Sequence, residues 1–451
     1  MSFFLRLGLT GSLLSIALSV PVRAQPAAAL ALSEAEQLAL QQNPRLLAAG
    51  KDIDAARARV GVASAPFYPT ANFISSASNQ SQRGGGGTAG AVLGNLAGVG
   101  GGGGGGQGLT QISLSVQQII FDFGRRGEGL KASQKDLEAT EQQFEALRQD
   151  VLLEVRQRYF QTYADQETVR VQEGVVANQE THLKESQGFF KAGLQARNEM
   201  AKAEADLAQA RLDLVLAQNV VEQDWVALNQ SMGVSSTRSY QLTLQPIPVQ
   251  TPVPEAEATV EVALKHRPEA RQILAQIEAA RARMEQVYRN RYPTLSANAQ
   301  TGYRGVNGPL DDFWSVGINL NFNLFNGFLD RFQADTFRAQ AESLGQLLEA
   351  TRQQVYRDTT TALINLRNAW AAIEAAQVNV RASGDNFELA RKRYETGLGS
   401  NLEYQDAQLL LARAQIGELQ AVNRYRTAHA ALLRAVGLDH DDELRQQLEK
   451  R

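Results

Sequence analysis

The side chains that could do chemistry are few and badly placed for it. The four histidines, His182, His266, His429 and His440, are scattered and share no ligand spacing. Cysteine is absent from the 451 residues, which excludes disulfides, thiolate metal sites, a thiol nucleophile and a lipid on an N-terminal cysteine. Asp439, Asp441, Asp442 and Glu443 crowd around His440, but so dense a run of like charge reads as a solvated tail rather than a metal site. A glycine run, with 15 glycines between Gly84 and Gly108, lacks the Lys-Ser or Lys-Thr that would end a phosphate loop. One acidic pair, Glu403 and Asp406, is three residues apart, so both carboxylates fall on one face of a helix. No set of residues looks catalytic, and no cofactor is implied.

The elements that carry these residues say more. Lys and Arg number 45 against 48 Asp and Glu, well mixed, for a net charge of −3, which leaves no basic excess for nucleic acid. Arg6 precedes an apolar run from Leu7 to Val20, and small residues stand at Val22 and Ala24, the pattern of a secretory signal over residues 1–24. The chain then repeats itself. Leu38, Pro44, the Ala55–Arg59 segment and Tyr68-Pro69-Thr70 return 224 residues later as Val262 [at Leu38's position], Pro268, Ala279–Arg283 and Tyr292-Pro293-Thr294. Beyond that the interval shortens to 204: Phe121 matches Phe325, Gly193 matches Gly397 and Gly233 matches Gly437. The 20-residue difference falls on the glycine run, a loop over 83–108 that cannot build a core. Repeat 1 spans 25–245, a Pro-rich linker with Pro246, Pro248, Pro252 and Pro254 spans 246–256, repeat 2 spans 257–438, and a charged tail follows over 439–451.

Each repeat has one order of elements. A helix is expected from Ser33 to Val62 and from Glu257 to Arg289. Two strands follow, about 70–82 and 109–120 in repeat 1 and 294–304 and 313–324 in repeat 2. Trp314, Val316, Ile318, Leu320, Phe322 and Leu324 alternate with small and polar residues, the period of two that marks a strand. Two very long helices then start near Arg125 and its counterpart. Phe144, Leu147, Val151, Val155, Tyr159 and Tyr163 recur at three and four, as do Leu344, Leu348, Val355, Leu363, Leu366, Trp370 and Ile373. From Arg125 to Phe190 such a helix is about 100 Å long. Gly193 and Gly397 end the long helices, and another helix runs back in each repeat. Four strands of one chain cannot close a sheet. Their alternation suits a barrel wall with lipid outside and water inside, and a membrane barrel must close. Three copies give twelve strands; two give eight, a barrel that side chains fill. Coiled-coil packing in a ring covers the helices.

In this order the residues resemble the TolC-like outer-membrane efflux protein family, over roughly Leu32 to Leu438. The resemblance rests on the Asn43-Pro44 and Arg267-Pro268 turns, the Tyr-Pro-Thr strand entries, the strand exits Phe121-Asp122-Phe123-Gly124 and Phe325-Asn326-Gly327, and above all Arg393-Tyr394-Glu395-Thr396-Gly397 with Leu402 and Glu403. It implies a mixed fold, a membrane β-barrel joined to a long α-helical coiled-coil barrel. It also implies a homotrimer in the outer membrane, with twelve strands in the barrel and a helical tunnel in the periplasm. That trimer would be the exit duct of a tripartite efflux or type I secretion system, with a periplasmic adaptor (membrane fusion protein) and an inner-membrane transporter as partners. By family position Glu403 and Asp406 line the periplasmic constriction, Tyr394 and Glu199 form the gate's hydrogen bonding, and the tips Gly193, Leu194, Gly397 and Leu398 dock the adaptor. Where some members carry an Arg two residues past the second-turn glycine, this chain has Gly399. Tyr68, Tyr292, Phe313 and Trp314 are expected at the membrane interface. The competing reading is a periplasmic coiled-coil scaffold or adaptor without a pore; a duct stays with outer membranes after salt washing, while a scaffold washes off.

Overall fold

A computed structural model describes residues 29–80, 107–193, 196–244, 255–306, 308–440, 443–444 and 446–447. The signal segment, most of the glycine run, Leu194, all but the last two residues of the Pro-rich linker, and Asp441 and Asp442 of the tail lie outside the described residues. In chain order the elements of repeat 1 are β1 (Ala29–Ala31), α1 (Leu32–Gln42), α2 (Pro44–Ser64), β2 (Thr70–Gln80), β3 (Gln107–Phe121), α3 (Arg125–Lys191), α4 (Arg197–Ser231) and β4 (Gln241–Thr243). Repeat 2 follows with α5 (Ala256–His266), α6 (Pro268–Tyr288), β5 (Thr294–Val306), β6 (Asp311–Asn321), α7 (Leu329–Glu395) and α8 (Asn401–Val436).

Two expectations are corrected here. Each leading helix is two helices. Asn43 and Arg267 take extended backbone (ψ 119° and 121°), because the ring of the following proline excludes the helical region for the residue before it. Pro44 and Pro268 then start the second helix, where a missing N–H leaves nothing unsatisfied. The last strand stops at Asn321, three residues short of 324, so Phe322 and Leu324 belong to the connection into α7. That connection and its counterpart use two consecutive left-handed residues, Phe123 and Gly124 in one copy and Gly327 and Phe328 in the other.

α3 and α7 are 67 residues each, about 100 Å. Neither has a partner of its own length. α3 is covered by α2 toward the strands and by α4 toward the far turn on one side, and by α6 and α8 in the same order on the other. α7 packs beyond α6 and α8. Short helices therefore stack end to end along each long one, and each stack needs a joint. In repeat 1, Asn43 Nδ2 donates to Ser231 O (2.9 Å), while Asn43 Oδ1 caps α2 by accepting from Arg45 N–H (2.9 Å). In repeat 2, Arg267 Nε donates to Ala435 O at the equivalent position (2.9 Å). Gly233 and Gly437 turn the chain at these joints with φ +78° and +82°. The stripes expected on α3 and α7 are buried there: Val151, Val155 and Tyr159 pack with Trp225, Leu228 and Met232, and Val355, Leu363 and Leu366 with Tyr425, Leu432 and Val436.

Repeat 1 adds a pairing the sequence did not announce. β1 and β4 run parallel over three residues, too short for a periodic signal. Tyr159, fully buried, ties them together: its hydroxyl lies 2.7 Å from Leu30 O and from Thr243 O and accepts from Thr243 N–H (3.1 Å). The described part of the tail is also less solvated than its charge suggests. Asp439 pairs with Arg148 (2.5 Å), its carbonyl accepts from Arg156 (2.9 Å), and Leu444 is buried.

The strands form one antiparallel sheet in the order β2-β3-β5-β6. The register puts Phe73, Leu114, Val116, Thr301, Ala299, Trp314, Val316 and Ile318 on one face, and Asn72, Ser113, Ser115, Asn298, Gln300, Ser315 and Asn319 on the other.

The joints generate a prediction. A Cβ on Gly233 would stand 2.6 Å from Gln42 O and 2.7 Å from the backbone of Asn43, whereas one on Gly193, which shares the left-handed backbone (φ +72°), meets open space. Gly193→Ala should cost only the backbone strain, about 1 kcal/mol. Gly233→Ala adds the clash and should cost about 3 kcal/mol. Thermal unfolding of the two variants in detergent checks the difference; equal losses would deny the joint its role.

Candidate functional site: the helical tip and the apolar sheet face

At the end of the helices away from the sheet, the turn between α7 and α8 is built by the backbone of Arg393. Its carbonyl accepts from Leu398 N–H and Gly399 N–H, both at 2.8 Å, and Gly397 N–H reaches Tyr394 O (3.0 Å). This is the six-residue closure that a left-handed glycine permits, here with φ +73° at Gly397. At Gly399 a Cβ would already lie 3.0 Å from the Cβ of Arg393. Ser400 then caps α8 by accepting from Glu403 N–H (3.1 Å). Gly193, Gly397 and Leu398 are exposed at the turns, and Leu398 is 76% exposed.

Glu403 and Asp406 stand on the exposed side of the first turns of α8. They are not electrostatically equivalent, because Arg393 Nε lies 3.4 Å from Glu403 Oε1. Sequence reading quoted Arg393 only as part of a motif. Its spacing from Glu403 in the chain hid the contact, which exists because the turn folds α8 back on α7.

Behind this surface is a buried aromatic layer. Tyr394, Tyr404, Phe387, Ala390 and Ala407 pack together, with Phe189 and Leu411 against them. His182 of α3 packs against both tyrosine rings, 5.0 Å from Tyr404 and 5.1 Å from Tyr394, centroid to centroid, while the two tyrosines lie 5.5 Å from each other. Burial pushes the Tyr404 phenol up to about 12 and the His182 imidazole below its ordinary value. Polar contacts join the two hairpins beside it: Asn401 Nδ2 donates to Glu199 Oε2 (3.0 Å), and Gln179 Nε2 donates to Gln405 Oε1 (2.7 Å) and Gln408 Oε1 (3.2 Å). Glu199 bonds to Asn401, and Tyr394 lies in the aromatic layer beside that contact. His182 and the glutamines were missed; a lone His on a helix carries no periodic signal.

At the other end, the face holding Trp314 (76% exposed), Val316 (74%), Ile318 (70%) and Phe73 (71%) is bare, a continuous apolar surface unlike that of a water-soluble sheet. From Trp314 to Leu320 the band is about 20 Å along the strand. Tyr303 and Trp314 edge it far from the helices; exposed Tyr68 and Tyr292 lie at the helix end, where Phe123 stacks on Tyr292 (5.1 Å). Phe313 parts company with Trp314. Adjacent strand residues point to opposite faces, so Phe313 lies on the polar face, with the Arg304 guanidinium 5.5 Å from its ring. No helix among the described residues is long and apolar enough to cross a membrane, and no group of acidic and His residues there is placed to hold a metal ion.

With this geometry, the sequence profile of the outer membrane efflux protein family matches residues 35–234 and 259–438. The chain belongs to that family. It is an outer-membrane efflux channel with a periplasmic helical part, and the family is one of transport proteins, not enzymes. Protein CyaE of Bordetella pertussis is 27% identical over 424 residues, covering 90% of this chain and 84% of the relative. The probable efflux pump outer membrane protein TtgC of Pseudomonas putida is 22% identical over 416 residues, 90% of this chain and 83% of that one. Among solved structures, the CmeC outer membrane channel of Campylobacter jejuni superposes with a TM-score of 0.75 at 18% identity, covering 93% of this chain and 89% of CmeC, a likeness of fold.

A second acidic pair lies midway along the hairpin of α3 and α4. Burial, and then the neighbouring Asp165 carboxyl, push Asp224 up to about 7. The folded chain therefore holds a proton that the unfolded chain releases near the ordinary carboxylate value of 3.8. Between those two values stability must fall as pH rises. Asp165→Asn removes the like charge, so its melting temperature should fall less steeply between pH 5 and pH 7, and it should exceed the wild type at pH 8. Melting curves across that range, compared slope against slope, check this.

Proposed function

We propose that the chain assembles as a homotrimer whose sheets close into a twelve-stranded barrel in the outer membrane. Its helices then form a tunnel through the periplasm to an adaptor (membrane fusion protein) and an inner-membrane transporter. The observation that carries this reading is the four-stranded sheet with both edges free and one face apolar. Among the described residues, β2 and β6 each leave a row of backbone N–H and C=O groups unpaired, which a bilayer does not tolerate. Pairing β2 of one copy with β6 of the next satisfies both edges, and three copies leave room for water inside. The helices point the same way. α4 exposes Leu212, Val215, Leu216 and Val220 along one stripe, and α7 exposes Leu347, Tyr356, Ile364 and Val378 on the opposite side of the chain, as faces awaiting a neighbouring copy would. A scaffold without a pore has no use for the apolar band.

In this assembly the tips Gly193 to Leu194 and Gly397 to Leu398 dock the adaptor. Glu403 and Asp406 of three copies ring the axis at the constriction, where six carboxylates favour cations. Tyr394 and Glu199 hold the gate with Asn401. The sheet's lipid contacts run from the Tyr68 and Tyr292 end to Trp314. Substrates pass from the transporter through the periplasm to the exterior.

Two measurements test the proposal. Cross-linking in detergent should give a ladder that ends at three, and a pore carried by a monomer would defeat the closure argument. In planar bilayers, Glu403→Gln with Asp406→Asn should lower cation preference and weaken block by multivalent cations. Asp406→Asn alone should account for most of the effect, since Arg393 already offsets the charge of Glu403. Unchanged selectivity in the double variant would move the constriction elsewhere.

A further inference from the structure

His182 is only 1% exposed, and neither ring nitrogen has a hydrogen-bond partner. An imidazole so placed is expensive to keep, because its donor is desolvated and the Asn401 side chain beside it does not reach bonding geometry. Its position is equally particular. It projects from α3 of the first hairpin onto Tyr394 of α7 and Tyr404 of α8, themselves 5.5 Å apart, so one hairpin supplies the third ring of a cluster begun by the other. Beside it, Asn401 Oδ1 and Asp206 Oδ2 are also buried without partners.

We propose that His182 is a proton-operated latch: neutral, it holds the α3–α4 hairpin against α7 and α8, and protonation in acid loosens the tip. The inference rests on the duct reading, to which it adds regulation of the gate. The groups around the ring decide the sign. From α4, Asp206 and Glu199 favour the imidazolium, but Glu199 is already engaged by Asn401 Nδ2 (3.0 Å), and Lys202 opposes a second cation. From α8, Asn401 favours it through its free oxygen, while Tyr404, like Tyr394 of α7, offers a ring face. Arg391 and Glu395 of α7 face Glu185 of α3, itself pushed up by burial, rather than completing a site for the imidazolium. Burial is the largest influence on His182 and favours the neutral ring. A loosened tip that exposes the ring restores its ordinary affinity for a proton. The closed tip thus binds fewer protons than the loosened one, and closure is fully stable above pH 6.5 and weakens as pH falls below it.

The test uses the full chain in detergent. Hydrogen–deuterium exchange is followed over residues 176–190 and 394–408 at pH 7.5 and 5.5, corrected for intrinsic exchange. One pH unit below the ordinary imidazole value of about 6.5, the loosened state gains at most about tenfold. Wild-type protection should fall more than twofold, up to that limit. His182→Phe keeps a ring against the tyrosines and removes the proton site, so its protection should change less than twofold. Asn401→Asp supplies a carboxylate to the imidazolium and takes the donor from Glu199; its tip should be loose at pH 7.5 and tighten at pH 5.5. An acid response that persists undiminished in His182→Phe, or a wild type that does not respond, overturns the latch. Conductance of the same proteins in planar bilayers separates the two readings. Acid-loosened tips in a protein that conducts at no pH would refute the duct and leave the latch, while a conducting channel with a tip indifferent to His182 refutes only the latch.

Discussion

Everything in this molecule depends on covering two helices of about 100 Å that have no core of their own. A helix of that length in water is held by side-chain packing along its whole face, since propensity alone supplies little. No single partner in the chain is long enough. The solution is to stack shorter helices end to end, α2 above α4 and α6 above α8, with α3 between the two stacks. The weak points of such a stack are the helix ends, where carbonyls lose their partners. Asn43 and Arg267 meet that need from the same structural position, each donating to the carbonyl two residues before the terminal glycine. The proline that breaks the leading helix is what frees its predecessor to turn outward and do so.

The two copies keep this joint and differ around it. Repeat 1 locks its joint region with a buried tyrosine and a three-residue parallel pair; at the position of Tyr159, repeat 2 has Leu363. Repeat 2 uses charge instead. Arg434 bridges Glu269 and Asp150, at 2.6 Å each, and Gln149 donates to Gly437 O (3.0 Å), so the end of α8 is fastened to α6 and to α3 of the other repeat. The arginine beside Glu269 holds its carboxyl below the usual range despite burial. A hydrophobic lock within one repeat and an ionic lock between repeats make the middle of the helical region its most constrained part.

From that fixed middle the chain extends two unfinished ends. The sheet has satisfied hydrogen bonds inside and open ladders at both edges. The tip has packed rings and amide bridges, yet it also holds polar atoms of His182, Asp206 and Asn401 that are buried without partners. Unsatisfied groups of this kind mark places where more than one arrangement lies within reach. In the proposed assembly, other copies of the chain complete one end, and the other end is the gate. Such a division suits a duct anchored in a membrane and opened from the periplasm.

The sequence by itself determined the elements whose signals are periodic and long. Strict alternation from Trp314 to Leu320 set the faces of the strand, recurrence at three and four set the buried stripes of α3 and α7, and the duplicated glycines set the turns, because each depends on local backbone geometry. Local rules misjudged the ends: proline split both leading helices, and the last strand stopped at Asn321. Only the tertiary structure decided the contacts between residues far apart in the chain. It put Tyr159 against β1 and β4, paired Arg393 with Glu403 across a turn, and set His182 against Tyr394 and Tyr404. None of these has a spacing to read, since each exists only after separate elements of the chain have packed together.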